Sequence, residues 1–172
     1  FRSTKEKGHG FSKFYSNKLN HLRDKYINIL EIGSYSGASA AAFKKYFKNS
    51  KIYCFDINIS NFKYSSKDLN VFGLDISDKK KLNKTLKEIG VKQEYFDLVI
   101  DDGSHNLSDM IFSLKYLFKY LTKKGIYIIE DFKHPNYYQY NRNIDHILID
   151  ELIGNLKDKK FFESNILDKN DQ

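Results

Sequence analysis

Tyr26-Ile-Asn-Ile-Leu-Glu-Ile-Gly-Ser-Tyr-Ser-Gly37 decides the fold of this chain. A mostly apolar run of strand length ends in a turn carrying Gly33 and Gly37. Ala38 to Phe47 follows as a helix whose small residues allow close packing on a sheet. Strand, glycine turn and helix open an α/β unit.

The alternation continues outward. Upstream, Phe11, Tyr15, Leu19 and Leu22 share one helical face, so residues 1–25 are expected to be a helical segment preceding one compact domain over 26–172. Downstream, Lys51–Asp56 and Asn70–Asp75 read as strands ending in acids. Ser77 or Asp78 can cap a helix whose stripe is Leu82, Leu86 and Ile89. Tyr95–Ile100 reads as a fourth strand. A helix with Leu107, Ile111, Leu114, Phe118 and Leu121 at four-three-four-three spacing is expected next, stopped by Lys124-Gly125. Ile126–Ile129 is the fifth strand. Ile144, Leu148, Leu152 and Leu156 predict a last helix, before a strand over Lys160–Ile166. The fold class is α/β: a doubly wound, mostly parallel Rossmann-like sheet.

Two segments concentrate chemistry. Val99-Ile-Asp-Asp-Gly-Ser-His105 and Tyr127-Ile-Ile-Glu-Asp131 are apolar runs that end in acids, separated by one helix. Their ends can therefore lie side by side in a parallel sheet. Asp102, Glu130, Asp131 and His105 would be costly to gather there without a cation or a reaction. Taken singly, Asp101 and Asp102 could cap the next helix, Glu130 and Asp131 could pair with lysines, and His105 could be a loop residue. In such sheets ligands bind beyond the carboxyl ends of the strands, where strand order reverses. Asp56, about twenty residues past the glycine turn, can accept the ribose hydroxyls of an adenosine.

Composition narrows the classes. The 172 residues suit one domain with a real core. The net charge of +7 comes from scattered lysines with short clusters such as Lys79-Lys-Lys81, which forms no evident nucleic-acid stripe. The single Cys54 cannot form an internal disulfide, which fits a reducing, cytoplasmic setting. No apolar run approaches membrane-spanning length.

The turn Glu31-Ile-Gly-Ser-Tyr-Ser-Gly37 is a G-x-x-x-G preceded by an acid, not the G-x-G-x-x-G of dinucleotide binders. With acids ending the next two strands, the chain resembles the class I S-adenosylmethionine-dependent methyltransferases. D-D-G-S-H followed by I-I-E-D narrows the resemblance to the metal-dependent sugar O-methyltransferases of the macrocin and mycinamicin type. The resemblance implies S-adenosyl-L-methionine held by Glu31, Gly33, Ser34, Tyr35 and Gly37 at its methionine end. It implies Asp56 and Ile57 at the ribose, Asp75 and Ile76 beside the adenine, and Asp101 facing the cofactor's amino group. Asp75 can equally be a turn acid before Ser77.

The resemblance further implies Mg²⁺ or Mn²⁺ on Asp102, Glu130 and Asp131, with His105 as general base. A hard cation on carboxylate oxygens polarises a poorly nucleophilic hydroxyl, and a neutral histidine, with an ordinary pKa of about 6.5, can take its proton near neutral pH. Lys5-Glu-Lys-Gly-His-Gly-Phe-Ser-Lys-Phe-Tyr15 is similar to that group's pattern before the first helix, with His9 near the site, but lacks its Asp before the lysine. The implied partner is a small-molecule or sugar acceptor, with no nucleic acid and no membrane insertion; a homo-oligomer is compatible, and a phosphate or phosphoramidate acceptor, or a non-catalytic nucleotide-binding module, stays open as an alternative. The sheet is expected to be truncated before the last strand of that family. The loop Phe132–Asn143, with His134, Tyr137, Tyr138, Tyr140 and Arg142, reads equally as a sugar-stacking surface or an ordinary packed loop. His146 reads as structural or solvated.

Overall fold

Near-continuous apolar runs along the central strands build a sheet covered on both faces. The computed structural model of the chain describes residues 11–130, 149–164 and 167. The elements are α1 (Phe11–Leu19), β1 (Ile27–Ile32), α2 (Ala38–Tyr46), β2 (Ser50–Asp56), β3 (Leu69–Gly73), α3 (Lys79–Ile89), β4 (Phe96–Asp101), α4 (Leu107–Leu117), β5 (Leu121–Ile129) and α5 (Ile149–Lys157). The five strands lie in the order β3-β2-β1-β4-β5, and every pairing is parallel. Strand order reverses between β1 and β4, which opens a crevice at their carboxyl ends.

One layer of core joins Ile27 and Ile29 of β1, Ile52 and Cys54 of β2, and Leu98 and Ile100 of β4 to Ala40, Phe43 and Phe47 in and just after α2. Leu19 and Leu22 bring the N-terminal helix onto the same layer, and each such burial contributes about 2 kcal/mol. The opposite layer joins Leu30, Ile32, Tyr53, Phe55 and Val99 to Leu82 and Leu86 of α3 and Leu117 at the end of α4. A smaller cluster packs Leu107 and Ile111 of α4 against Leu152 and Leu167. Asp78, rather than Ser77, caps α3 by accepting the amide N–H of Lys81 at 3.0 Å.

Three expectations change. The helix stop assigned to Lys124-Gly125 is wrong: α4 ends at Leu117, a 3₁₀ turn covers Phe118–Tyr120, and β5 already begins at Leu121. Gly125 sits instead where the register between β4 and β5 shifts, from Phe96↔Leu121 to Leu98↔Ile126. A Cβ there would lie 3.0 Å from the carbonyl oxygen of Phe96, so the glycine serves the irregular pairing. The third strand ends at Gly73, which leaves Asp75 in the loop beyond it. The strand expected over Lys160–Ile166 is absent from its described part, residues 160–164. Phe162 is used there to cover the cluster between α4 and α5. Ile144, Leu148 and His146 lie outside the described residues.

Candidate functional site

Gly33 sets how closely the crevice closes. With φ at +80°, it turns the chain out of β1, and a Cβ on it would lie 2.1 Å from the backbone oxygen of Asp102. Only glycine lets the β1 turn and the β4 turn meet this way. Backbone hydrogen bonds stitch the strand ends: the amide of Asp102 donates to Ile32 at 3.0 Å, and that of Glu130 to Asp101 at 2.8 Å. The ring of Phe62 fills the space beside Gly37 that a side chain would need.

Around this turn lies a cleft of about 260 Å³, lined by Ile32, Gly33, Asp56, Ile57, Asp75 and Ile76, with Ser77, Gly103, Ser104 and Asp109 completing its far wall. Asp56 accepts the Tyr35 amide at 2.6 Å through Oδ2 and the Asn58 amide at 2.8 Å through Oδ1. A carboxylate has about four lone-pair sites, so it can shape both turns and still receive hydroxyls. Asp75 accepts the amide and hydroxyl of Ser77 at 2.9 and 2.7 Å. Those bonds hold its carboxyl below the usual range. It is thus a turn acid and a cleft-lining anion together. Ile57 is well exposed, at 75 %, and Ile76 is half-buried. Ser34 is buried, its carbonyl accepting the Gly37 amide at 2.7 Å.

The acids after β4 and β5 separate by face. Ile100 belongs to the layer beneath α1 and α2, and Val99 to the layer beneath α3 and α4. Period-two alternation therefore sends Asp101 and Asp102 to opposite sides. Buried Asp101 accepts the Ser113 hydroxyl of α4 and, at 3.3 Å, the Gly103 amide. Tyr127 donates to Ser113 at 3.1 Å. Burial pushes the Asp101 carboxyl up to about 6, against the pull of its hydrogen bonds. Neither aspartate caps α4; Asn106 does, accepting the Ser108 amide at 3.2 Å.

On the other face, the Tyr15 hydroxyl of α1 donates to Glu130 Oε1. The Tyr15 phenol is pushed well above its ordinary pKa, by burial first and then by Glu130, Asp102 and Glu31. Glu31 is fully buried at the end of β1, opposite Cys54 and Ile100 in register. Burial, with the Glu31 carboxylate nearby, pushes the Cys54 thiol up to about 12, so it stays protonated. His105 Nε2 stands 4.0 Å from Asp102 Oδ1. The backbone of His105 is left-handed, with φ at +56°, an uncommon state for a residue with a side chain.

The structure thus brings Glu31, Asp102, Glu130 and His105 to neighbouring strand ends, with Gly33, Asp56, Ile57, Asp75 and Ile76 around the adjoining cleft. Asp131, His9 and the aromatic loop Phe132–Asn143 lie outside the described residues. Among the described residues, no three His, Cys, Asp or Glu side chains form a metal-holding group by themselves. The donor set nevertheless suits a hard cation, since Mg²⁺ commonly uses only one or two protein carboxylates and keeps several waters. Sequence reasoning placed Tyr15 on an apolar stripe and in the family-like pattern before the first helix but did not foresee its bond to Glu130, and it missed Ser113. The signal for Ser113 was a hydroxyl on a buried stripe, three residues after Met110 and four before Leu117.

Comparison with known proteins agrees with this geometry. The chain is 33 % identical over 130 residues to L-olivosyl-oleandolide 3-O-methyltransferase of Streptomyces antibioticus, covering 72 % of this chain and 32 % of that protein. It is 30 % identical over the same length to demethylmacrocin O-methyltransferase of Streptomyces fradiae, again over 72 % and 32 %. The chain therefore spans about a third of the length of the curated relatives it matches. Among solved structures, the MycE methyltransferase from the mycinamycin biosynthetic pathway, in complex with Mg, SAH and mycinamycin VI, superposes with a TM-score of 0.62. That match has 27 % identity and covers 72 % of this chain and 34 % of that one. A model described as a methyltransferase domain matches residues 30–132, more than half of the chain, from within β1 to the acids after β5, and the chain belongs to this methyltransferase family.

Proposed function

We propose that the chain carries the cofactor and metal sites of an S-adenosylmethionine- and divalent-metal-dependent O-methyltransferase acting on a sugar hydroxyl. The observation that carries this reading is the Asp102–His105 pair and the Tyr15-bound Glu130 at neighbouring strand ends, beside a glycine-turned cleft lined by Asp56 and Asp75. The related proteins are named as O-methyltransferases of glycosides, and a structurally similar one holds Mg and SAH.

In this reading Gly33, Ser34, Tyr35 and Gly37 surround the methionine end, with Glu31 beneath it. Asp56 receives the ribose, and Ile57 and Ile76 flank the adenine with Asp75 at its edge. Asp101, the residue assigned to the cofactor's amino group, also holds the Gly103 turn of the cleft wall through its hydrogen bond. Asp102, Glu130 and Asp131 would hold Mg²⁺ or Mn²⁺. When bound, the cation supplies charge that orients an acceptor hydroxyl and lowers its pKa. His105 takes the acceptor proton, and Asp102 beside it stabilises the imidazolium that results. The glycine turn and the strand ends align acceptor and methyl donor, an orientation effect that can supply roughly 7 kcal/mol or more of barrier reduction.

The acceptor proposed is a nucleotide-linked sugar, a glycoside or a polysaccharide sugar, and the setting is the cytoplasm. The protonated, buried Cys54 thiol suits a reducing compartment. Among the described residues no helix is long and apolar enough to cross a membrane. The test is calorimetry with S-adenosylhomocysteine, followed by a screen of sugar acceptors with methyl-labelled cofactor. Cofactor binding and label in a sugar ether support the reading; a well-folded protein that binds no cofactor refutes it.

A further inference from the structure

We infer that Tyr15 is a positioning residue for the cation site, its hydroxyl fixing the Glu130 carboxylate so that helix α1 becomes a working part of that site. The inference rests on the metal-dependent reading above.

Tyr15 and Glu130 are 115 residues apart, yet the phenol donates directly to Glu130 Oε1. The donor cannot swing away easily. Leu19 and Leu22 anchor the helical segment in the core with 0 % and 6 % exposure, and the Tyr15 ring meets Phe43 edge-on at 5.5 Å. Ring packing alone would not need the hydroxyl, since Phe43 and Phe47 fill the same layer without one. A hydroxyl carried into an apolar layer costs free energy unless it finds a partner, and here the partner is a candidate ligand. Glu130 is itself buried, with 5 % exposure, immediately after β5. A fixed donor on one of its oxygens sets the rotamer of the carboxylate. Mg²⁺ tolerates little deviation from octahedral geometry, and partners that orient ligands typically contribute about ten- to hundredfold in metal affinity.

The test is titration of Mn²⁺ into the metal-stripped intact protein, as wild type, Tyr15→Phe and Phe43→Leu, with S-adenosylhomocysteine affinity measured alongside. Tyr15→Phe keeps the ring and removes only the donor, whereas Phe43→Leu loosens the ring contact and keeps the donor. The expected result is Mn²⁺ binding at least about tenfold weaker in Tyr15→Phe, with a clearly smaller loss in Phe43→Leu, which keeps the donor, and unchanged cofactor affinity in both. Equal Mn²⁺ affinity in Tyr15→Phe and wild type, or an equal loss in Phe43→Leu, overturns the inference while leaving the metal reading intact. A wild-type protein that binds the cofactor but no Mn²⁺ overturns the metal reading, and this inference with it.

Discussion

Replacing Gly33 with alanine should damage both fold and site, by an amount that separates two causes. A Cβ at Gly33 would lie 2.1 Å from the oxygen and 2.6 Å from the carbon of the Asp102 carbonyl, and 2.7 Å from the Gly103 Cα. All three are backbone atoms, so relief requires moving the β1 turn away from the β4 turn. Residue 33 also has φ at +80°, which costs a residue with a side chain about 1–2 kcal/mol. Overpacking against an ordered neighbour adds about 1–3 kcal/mol, so Gly33→Ala should cost about 2–5 kcal/mol. Gly90, which ends α3, supplies the control: its φ is +77°, but a Cβ there would meet nothing within 4 Å. Gly90→Ala should therefore cost only the conformational share, about 1–2 kcal/mol. Urea unfolding of both variants, with S-adenosylhomocysteine affinity by calorimetry, measures the difference. Gly33→Ala should also weaken cofactor binding at least about tenfold, whereas Gly90→Ala should leave it unchanged. Equal stability losses, or a Gly33→Ala protein with wild-type affinity, would refute the idea that this contact shapes the cleft.

Asp101 predicts a pH dependence. Its carboxyl is pushed up to about 6 in the fold, against about 3.9 in an unfolded chain, so the fold favours the protonated acid. That contribution is fully present below about pH 4 and is lost as pH rises through 6. Unfolding free energy of wild type minus that of Asp101→Asn, measured in a chelator, should fall by about 2 kcal/mol between pH 4 and 7; parallel curves would contradict this. For His105, the replacement His105→Ala should keep cofactor affinity while most of the methyl-transfer rate disappears. An equal loss of cofactor binding would instead assign it a structural role.

Much of the architecture was legible because alternation and strand-ending acids are local signals. The run from Tyr26 to Gly37 located the crevice, and the acids after β4 and β5 located the ends facing it. Period-two alternation also contained the separation of Asp101 from Asp102, though it became visible only when Val99 and Ile100 were assigned to opposite layers. Gly125 misled because a glycine after two lysines looks like a helix stop, while its role depends on the approach of Phe96 from another strand. The bond from Tyr15 to Glu130 had no local signature. It depends on the sheet bringing together segments 115 residues apart. Asn106 was legible as a cap and was overlooked beside the more conspicuous aspartates.

The most direct measurement is label transfer from methyl-labelled S-adenosylmethionine to a sugar acceptor before chelation, after complete metal removal, and after Mg²⁺ is restored. The account predicts transfer that disappears with the metal and returns with it, and that Asp102→Asn and Glu130→Gln abolish while still binding S-adenosylhomocysteine. Undiminished transfer by the metal-free protein would contradict the role given to those carboxylates.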